Sequence, residues 1–174
     1  MPGKNIFHNL QQMDTSYLLD PSIKQELNTE DIDVKNDKPK TLKISQLVAF
    51  KNHPFRIDIE SEKFLELMDS IKENGIIQPI LVRPINDDKY EILAGHCRTE
   101  AAKRNQLDEV PAFVVDVDDY TATKLMTHTN IYGRDEILLS EKAKAYRMCL
   151  DEEKRLGNNR TDAAENVGAG KDSK

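Results

Sequence analysis

Gly95, His96, Cys97 and Arg98 stand together where backbone freedom, an imidazole, a thiol and a guanidinium could act on one ligand. The apolar run Ile92-Leu93-Ala94 leads into them, and the helix formers Glu100, Ala101 and Ala102 follow after Thr99. The stretch therefore reads as strand, tight turn and helix. Gly95 can take a positive φ and presents no Cβ, so the amides of His96, Cys97 and Arg98 can converge on an anion. Phosphate suits such a turn. The first turn of a helix has N–H groups without intrahelical acceptors and carries partial positive charge, and Arg98 can grip two phosphate oxygens at once. An ordinary strand-to-helix turn with a surface arginine has the same pattern. His96 offers either a contact to phosphate or a neutral donor at the helix start. Cys97 has the setting of a reactive thiol and also that of a small half-buried side chain.

The rest of the composition limits what this turn can serve. The chain has 174 residues, 38% hydrophobic and 32% charged, with no Trp and a mean hydropathy of -0.65. That describes a soluble protein with one domain of about 100 residues and appendages outside its core. No run approaches the ~18 apolar residues of a membrane span, and the N-terminus has no signal-peptide core, so a cytoplasmic location is expected. Cys97, Cys149 and the four histidines are scattered, which suggests neither a disulfide framework nor a zinc site. A net charge of -6 argues against nonspecific nucleic-acid binding by the chain as a whole, since such binding neutralises phosphates with Lys and Arg. A local basic site remains compatible with it.

The elements that would position the turn can be read in order. Residues 1–40 show no sustained period and read as a flexible tail. A short strand is expected at Thr41–Ser45, then a turn near Asn52-His53-Pro54. Phe64, Leu65, Met68 and Ile71 have helical spacing between Ser61 as N-cap and Gly75 as stop. Ile76–Arg83 reads as a strand with an early proline, joined by Asn86-Asp87-Asp88 to Tyr90–Leu93 as a hairpin. A helix from about Arg98 to Arg104, a strand at Pro111–Val117 and a helix from Asp119 to Gly133 follow. A long helix should start at Ser140 and close near Leu156-Gly157, with a further short helix over Arg160–Gly168.

Four blocks then take on meaning together: His53-Pro54-Phe55-Arg56; Ser70 through Gly75 and on to Gln78-Pro79-Ile80-Leu81-Val82-Arg83; Ala94 through Ala102; and Pro111-Ala112. In this order and spacing they closely resemble the N-terminal domain of the ParB/RepB partition proteins, over about residues 41–155. The resemblance implies an α/β (α+β) fold of the ParB/sulfiredoxin-like type, a small mixed sheet with flanking helices. It divides the chain into a tail (1–40), a nucleotide-binding domain (41–117), its helical extension (118–157) and the start of a truncated helix-turn-helix (158–174). It also implies CTP with Mg2+ as cofactors of a DNA clamp, a homodimer, a centromere-like DNA site, a ParA-type ATPase as partner, and a nucleoid- or plasmid-associated place in the cytoplasm. No membrane is involved.

By the same resemblance, the family's Gly-Glu-Arg-Arg motif maps onto Gly95, His96, Cys97 and Arg98, with Thr99 next to it, as the triphosphate site. Its Glu-Asn-x-x-Arg motif maps onto Thr129, Asn130 and, displaced by one position, Arg134. Asn130 would reach Mg2+ and phosphate, and Arg56 and Gln78 would line the same pocket. The two family glutamates are replaced here by His96 and Thr129, so nucleotide binding with slow or no hydrolysis is expected. Other functions fit the same fold. A sulfiredoxin-like enzyme carries Gly-Cys-His-Arg at this turn, and an ATP-dependent kinase or a transcriptional regulator of a mobile element would share the architecture.

Overall fold

The computed structural model describes residues 33–34, 38–86, 88–132 and 137–168. Its strands are β1 (Asp33–Val34), β2 (Lys40–Lys43), β3 (Leu47–Ala49), β4 (Ile80–Asn86), β5 (Lys89–Ala94) and β6 (Glu109–Asp116). Its α-helices are α1 (Glu62–Asn74), α2 (His96–Arg104), α3 (Asp119–Tyr132) and α4 (Leu139–Gly168). A 3-10 turn at Ile44–Gln46 links β2 to β3.

The sheet is mixed. β4 lies at its centre, parallel to β6 and antiparallel to β5, and β3 runs parallel to β5 at one edge. β1 and β2 both pair antiparallel with β6 at the other edge. The apolar runs of β4, β5 and β6 send successive side chains to opposite faces, as a pleated strand must. Leu81, Leu93 and Phe113 enter a core with Phe50, Phe55, Leu125, Met126 and Ala145, beneath α3 and α4. Val82, Ile92 and Val114 enter a second core with Leu42, Phe64, Ile71 and Ala101, beneath α1 and α2. Helices on both faces explain why these strands read as continuous apolar runs rather than alternating ones. Each such buried side chain contributes about 2 kcal/mol of transfer free energy.

α1 begins and ends as its sequence directs. The Ser61 hydroxyl accepts the Phe64 N–H at 3.3 Å, and Gly75 closes the helix at φ 70° with its N–H on the Ile71 carbonyl.

Several boundaries differ from expectation, four of them as follows. The strand expected from Ile76 starts only at Ile80, because Pro79 has no N–H for a ladder and the carbonyls of Gln78 and Pro79 serve Arg98 instead. α2 starts at His96, two residues before the expected Arg98. The stretch expected to be a tail contains a strand, since Asp33 and Val34 pair with Asp116 and Val115. The remainder of that tail, 1–32 and 35–37, lies outside the described residues. Finally, the helix break expected at Gly157 is absent, and α4 continues to Gly168. Glycine in a helix interior costs about 1 kcal/mol against alanine, which weakens a helix without ending it.

Candidate functional site

The sheet's hydrogen bonding puts Ala94, the last residue of β5, opposite Leu81 of β4, so the chain leaves the sheet beside the first residues of β4. Gly95 makes the turn at φ 101° and ψ 23°, in the left-handed region, and is the N-cap of α2. A Cβ there would come within 2.6 Å of Ile80 Cγ2 and 3.0 Å of Ile80 Cβ. Both the torsion and the contact demand glycine. Gly95 has no side chain with which to cap α2, and the first turn of such a helix carries partial positive charge.

Each residue singled out at this turn has a definite place. Arg98 folds back: its Nη1 donates to the carbonyls of Gln78 at 2.5 Å and Pro79 at 2.7 Å. Gln78 is thereby held beside the turn. Thr99 is buried, and both its N–H and its hydroxyl donate to the Gly95 carbonyl, so it secures the turn from within. His96 is buried too, with Nε2 accepting the Phe50 N–H at 3.4 Å. An accepting Nε2 is an unprotonated one. Cys97 is half-buried and packs against the apolar core under α1 and α2.

Loop 53–56 crosses in front of His96. The His53 and His96 rings lie 3.8 Å apart, tilted by 40°. His53 Nδ1–H donates to the Phe55 carbonyl at 2.9 Å, and the Arg56 N–H donates to Glu141 Oε1 at 3.0 Å. Arg56 itself is exposed. Beside this loop a groove of about 510 Å³ runs between Asn52 and Pro54 on one side and Ala143, Lys144, Arg147 and Met148 of α4 on the other.

The second motif lies on α3. Asn130 is buried, and its Nδ2 donates to the Met126 carbonyl at 2.8 Å. The Thr129 hydroxyl donates to Leu125 at 2.8 Å, again within the helix. Arg134 lies outside the described residues. The structure therefore brings Gly95, His96, Arg98, Thr99 and Gln78 together directly, and Arg56 through loop 53–56, while Asn130 hydrogen-bonds within α3.

The donor set fits a phosphate-bearing ligand, with a helix start directly after a left-handed glycine turn, an arginine at that start, and Lys144 and Arg147 on the groove beside loop 53–56. Magnesium is less well matched. Among the described residues no three His, Cys, Asp or Glu side chains come together as a metal site. A magnesium ion held mainly by phosphate and water needs few protein ligands.

A second polar feature was invisible in the sequence. Arg83 forms a part-buried ion pair with Glu91, Nε and Nη2 both 2.7 Å from the one oxygen Oε2, and its Nη1 meets Asp119 at 2.9 Å. Asp119 continues to Arg155 on α4 at 3.3 Å. Nothing in the spacing of positions 83, 91, 119 and 155 signals this network, nor the pairing of Glu141 with Arg56 across 85 positions. Cys149, the other thiol, sits near Thr127 on α3, and burial pushes its pKa up. That makes it a poor nucleophile.

Comparison with known proteins places the fold in a family. The probable chromosome-partitioning protein ParB of Xylella fastidiosa is 39% identical over 129 residues, 74% of this chain and 40% of that protein. The nucleoid occlusion protein of Lysinibacillus sphaericus is 33% identical over 132 residues, 76% of this chain and 44% of that protein. The chain thus spans less than half the length of these relatives. Among solved structures, C-terminally truncated ParB from Caulobacter crescentus, complexed to the centromeric parS site, superposes with a TM-score of 0.52 at 30% identity. The superposition covers 66% of this chain and 58% of that one. The ParB N-terminal domain model matches residues 24–131, from before the first strand to the end of α3, and the chain belongs to that family.

Proposed function

We propose that this chain is the nucleotide-binding module of a DNA-partition protein, with CTP and Mg2+ acting as a switch for clamping DNA. The observation that carries the reading is the Gly95 turn: a left-handed glycine, where a Cβ would strike Ile80, standing as N-cap of the helix that begins with His96, Cys97 and Arg98. Arg98 at that start and the cations Lys144 and Arg147 beside loop 53–56 add the charge that a triphosphate needs. The choice of CTP rests on the family resemblance of these motifs. A parS-bound relative supports DNA as the partner of the whole protein. ParA-type partnership and dimerisation belong to the same proposal.

Hydrolysis is expected to be slow. His96 uses Nε2 as an acceptor inside the fold and Thr129 uses its hydroxyl within α3, so neither replaces a carboxylate that could hold metal or orient water. Nucleotide would then act through its different affinities for two conformations rather than through turnover. A thiol enzyme on the same fold is disfavoured by the half-buried, core-packed position of Cys97.

Calorimetric titration of the chain with CTP, ATP and GTP, each with magnesium, tests the reading. CTP should bind tightest. Preference for ATP would replace the reading with a kinase or a sulfiredoxin-like enzyme, and binding of none would reject it.

A further inference from the structure

Glu141 is a carboxylate with only 8% of its surface exposed, although acids are seldom buried without a specific partner. It stands in the first turn of α4, and its Oε1 accepts the backbone N–H of Arg56. From that amide an unbroken set of contacts leads to the phosphate turn. Phe55 is deep in the core and its carbonyl accepts His53 Nδ1–H; the His53 ring lies against His96; and His96 is the first residue of α2, directly after Gly95. Five residues drawn from three separate parts of the chain thus connect the start of α4 to the start of α2.

We infer that Glu141 is a positioning residue, which holds loop 53–56 against His96 and so couples the first turn of α4 to the Gly95 turn. The inference deepens the nucleotide-switch reading and rests on it for its functional meaning, because a ligand seated on the turn would press on His96 and loop 53–56 first. α4 would receive the displacement at its first turn through the hydrogen bond from the Arg56 amide. Such a bond fixes position without depending on the identity of residue 56. A carboxylate in a first turn also interacts favourably with the helix dipole. That role would be met by an exposed acid, and it does not require an amide 85 positions away.

Two substitutions separate the roles. Glu141→Gln keeps an oxygen acceptor for the Arg56 N–H and removes the charge, whereas Glu141→Ala removes both. Hydrogen–deuterium exchange of the full chain without nucleotide is the readout. Glu141→Ala should raise exchange about fivefold or more in segments 53–57 and 94–100, while Glu141→Gln stays within about twofold of the parent. Equal effects of Ala and Gln would assign Glu141 to the dipole and overturn the coupling, as would an Ala effect confined to α4. If Glu141→Ala does not fold, His53→Phe tests the same path from its other end. Faster exchange at 137–143 supports the coupling, and unchanged exchange there overturns it. Addition of CTP and magnesium to the parent chain then tests the other reading separately. Failure to bind would reject the nucleotide switch and leave the exchange results, obtained without nucleotide, to decide the coupling.

Discussion

At Arg98 the group expected to meet phosphate is also a clamp, because Nη1 bridges the carbonyls of Gln78 and Pro79 just before β4. Loss of binding in Arg98→Ala would therefore mix two effects. Arg98→Lys separates them, since an ammonium keeps the charge but lacks the planar fork that suits this arrangement. The lysine variant should lose about 1–2 kcal/mol of stability in urea without any nucleotide present. An unchanged denaturation midpoint would show that the two carbonyl contacts contribute nothing. Gly95→Ala should cost more, about 2–4 kcal/mol, since it combines a left-handed torsion with a Cβ 2.6 Å from Ile80 Cγ2. A loss below 1 kcal/mol in the same urea experiment would mean that the turn relaxes easily. Gly95 was legible in the sequence because its role is local, an apolar run ending at a glycine before a helix. Glu141, His53 and Glu91 were not. Their partners lie 85, 43 and 8 positions away, and the two longer pairings in particular arise from packing that no local period encodes.

Elements whose ends carry chemical stop signals were read closely, and those whose ends depend on tertiary packing were not. Ser61 and Gly75 bracket α1 as expected, and the polar turn after Asn86 joins β4 to β5. The start of β4 was missed because Arg98, distant in sequence, claims the carbonyls that would have continued the strand. The break assigned at Gly157 rested on glycine alone. In α4 this residue lies in open space, with nothing within 4 Å of where its Cβ would be. Gly157→Ala should thus strengthen the helix by about 0.5–1 kcal/mol and raise helicity by circular dichroism. If residue 157 instead ended a helix in the left-handed conformation, alanine would be strained, and a fall in helicity would restore the two-helix reading. The result bears on function, because one rigid α4 would transmit a displacement at Glu141 along its length, whereas two jointed helices would absorb it.

At the scale of the whole molecule, the dimerisation proposed above requires a surface on which two copies could meet. Burial divides the apolar residues of α3 and α4. Leu125 and Met126 are fully enclosed, while Tyr146 and Leu150 are about half exposed and Leu139 is 84% exposed. Spacings of seven and four put Leu139, Tyr146 and Leu150 on one side of α4. Three side chains make a small patch, well short of the ~800 Å² per partner of a stable interface. A net charge of -6 further opposes association. The chain alone should accordingly be monomeric at micromolar concentration. A ligand that draws additional surface beside this stripe would tip the balance, since it need only stabilise the joined form relative to the separate one. Sedimentation velocity with CTP and magnesium should show a dimer for the parent chain, and the double variant Tyr146→Glu, Leu150→Glu should remain monomeric while retaining nucleotide affinity. Exposed positions tolerate such changes at little cost to the fold, so a loss of association would report on the interface. A dimer that forms without nucleotide, or one that survives both substitutions, would show that the copies meet through another face and that α4 does not carry the switch.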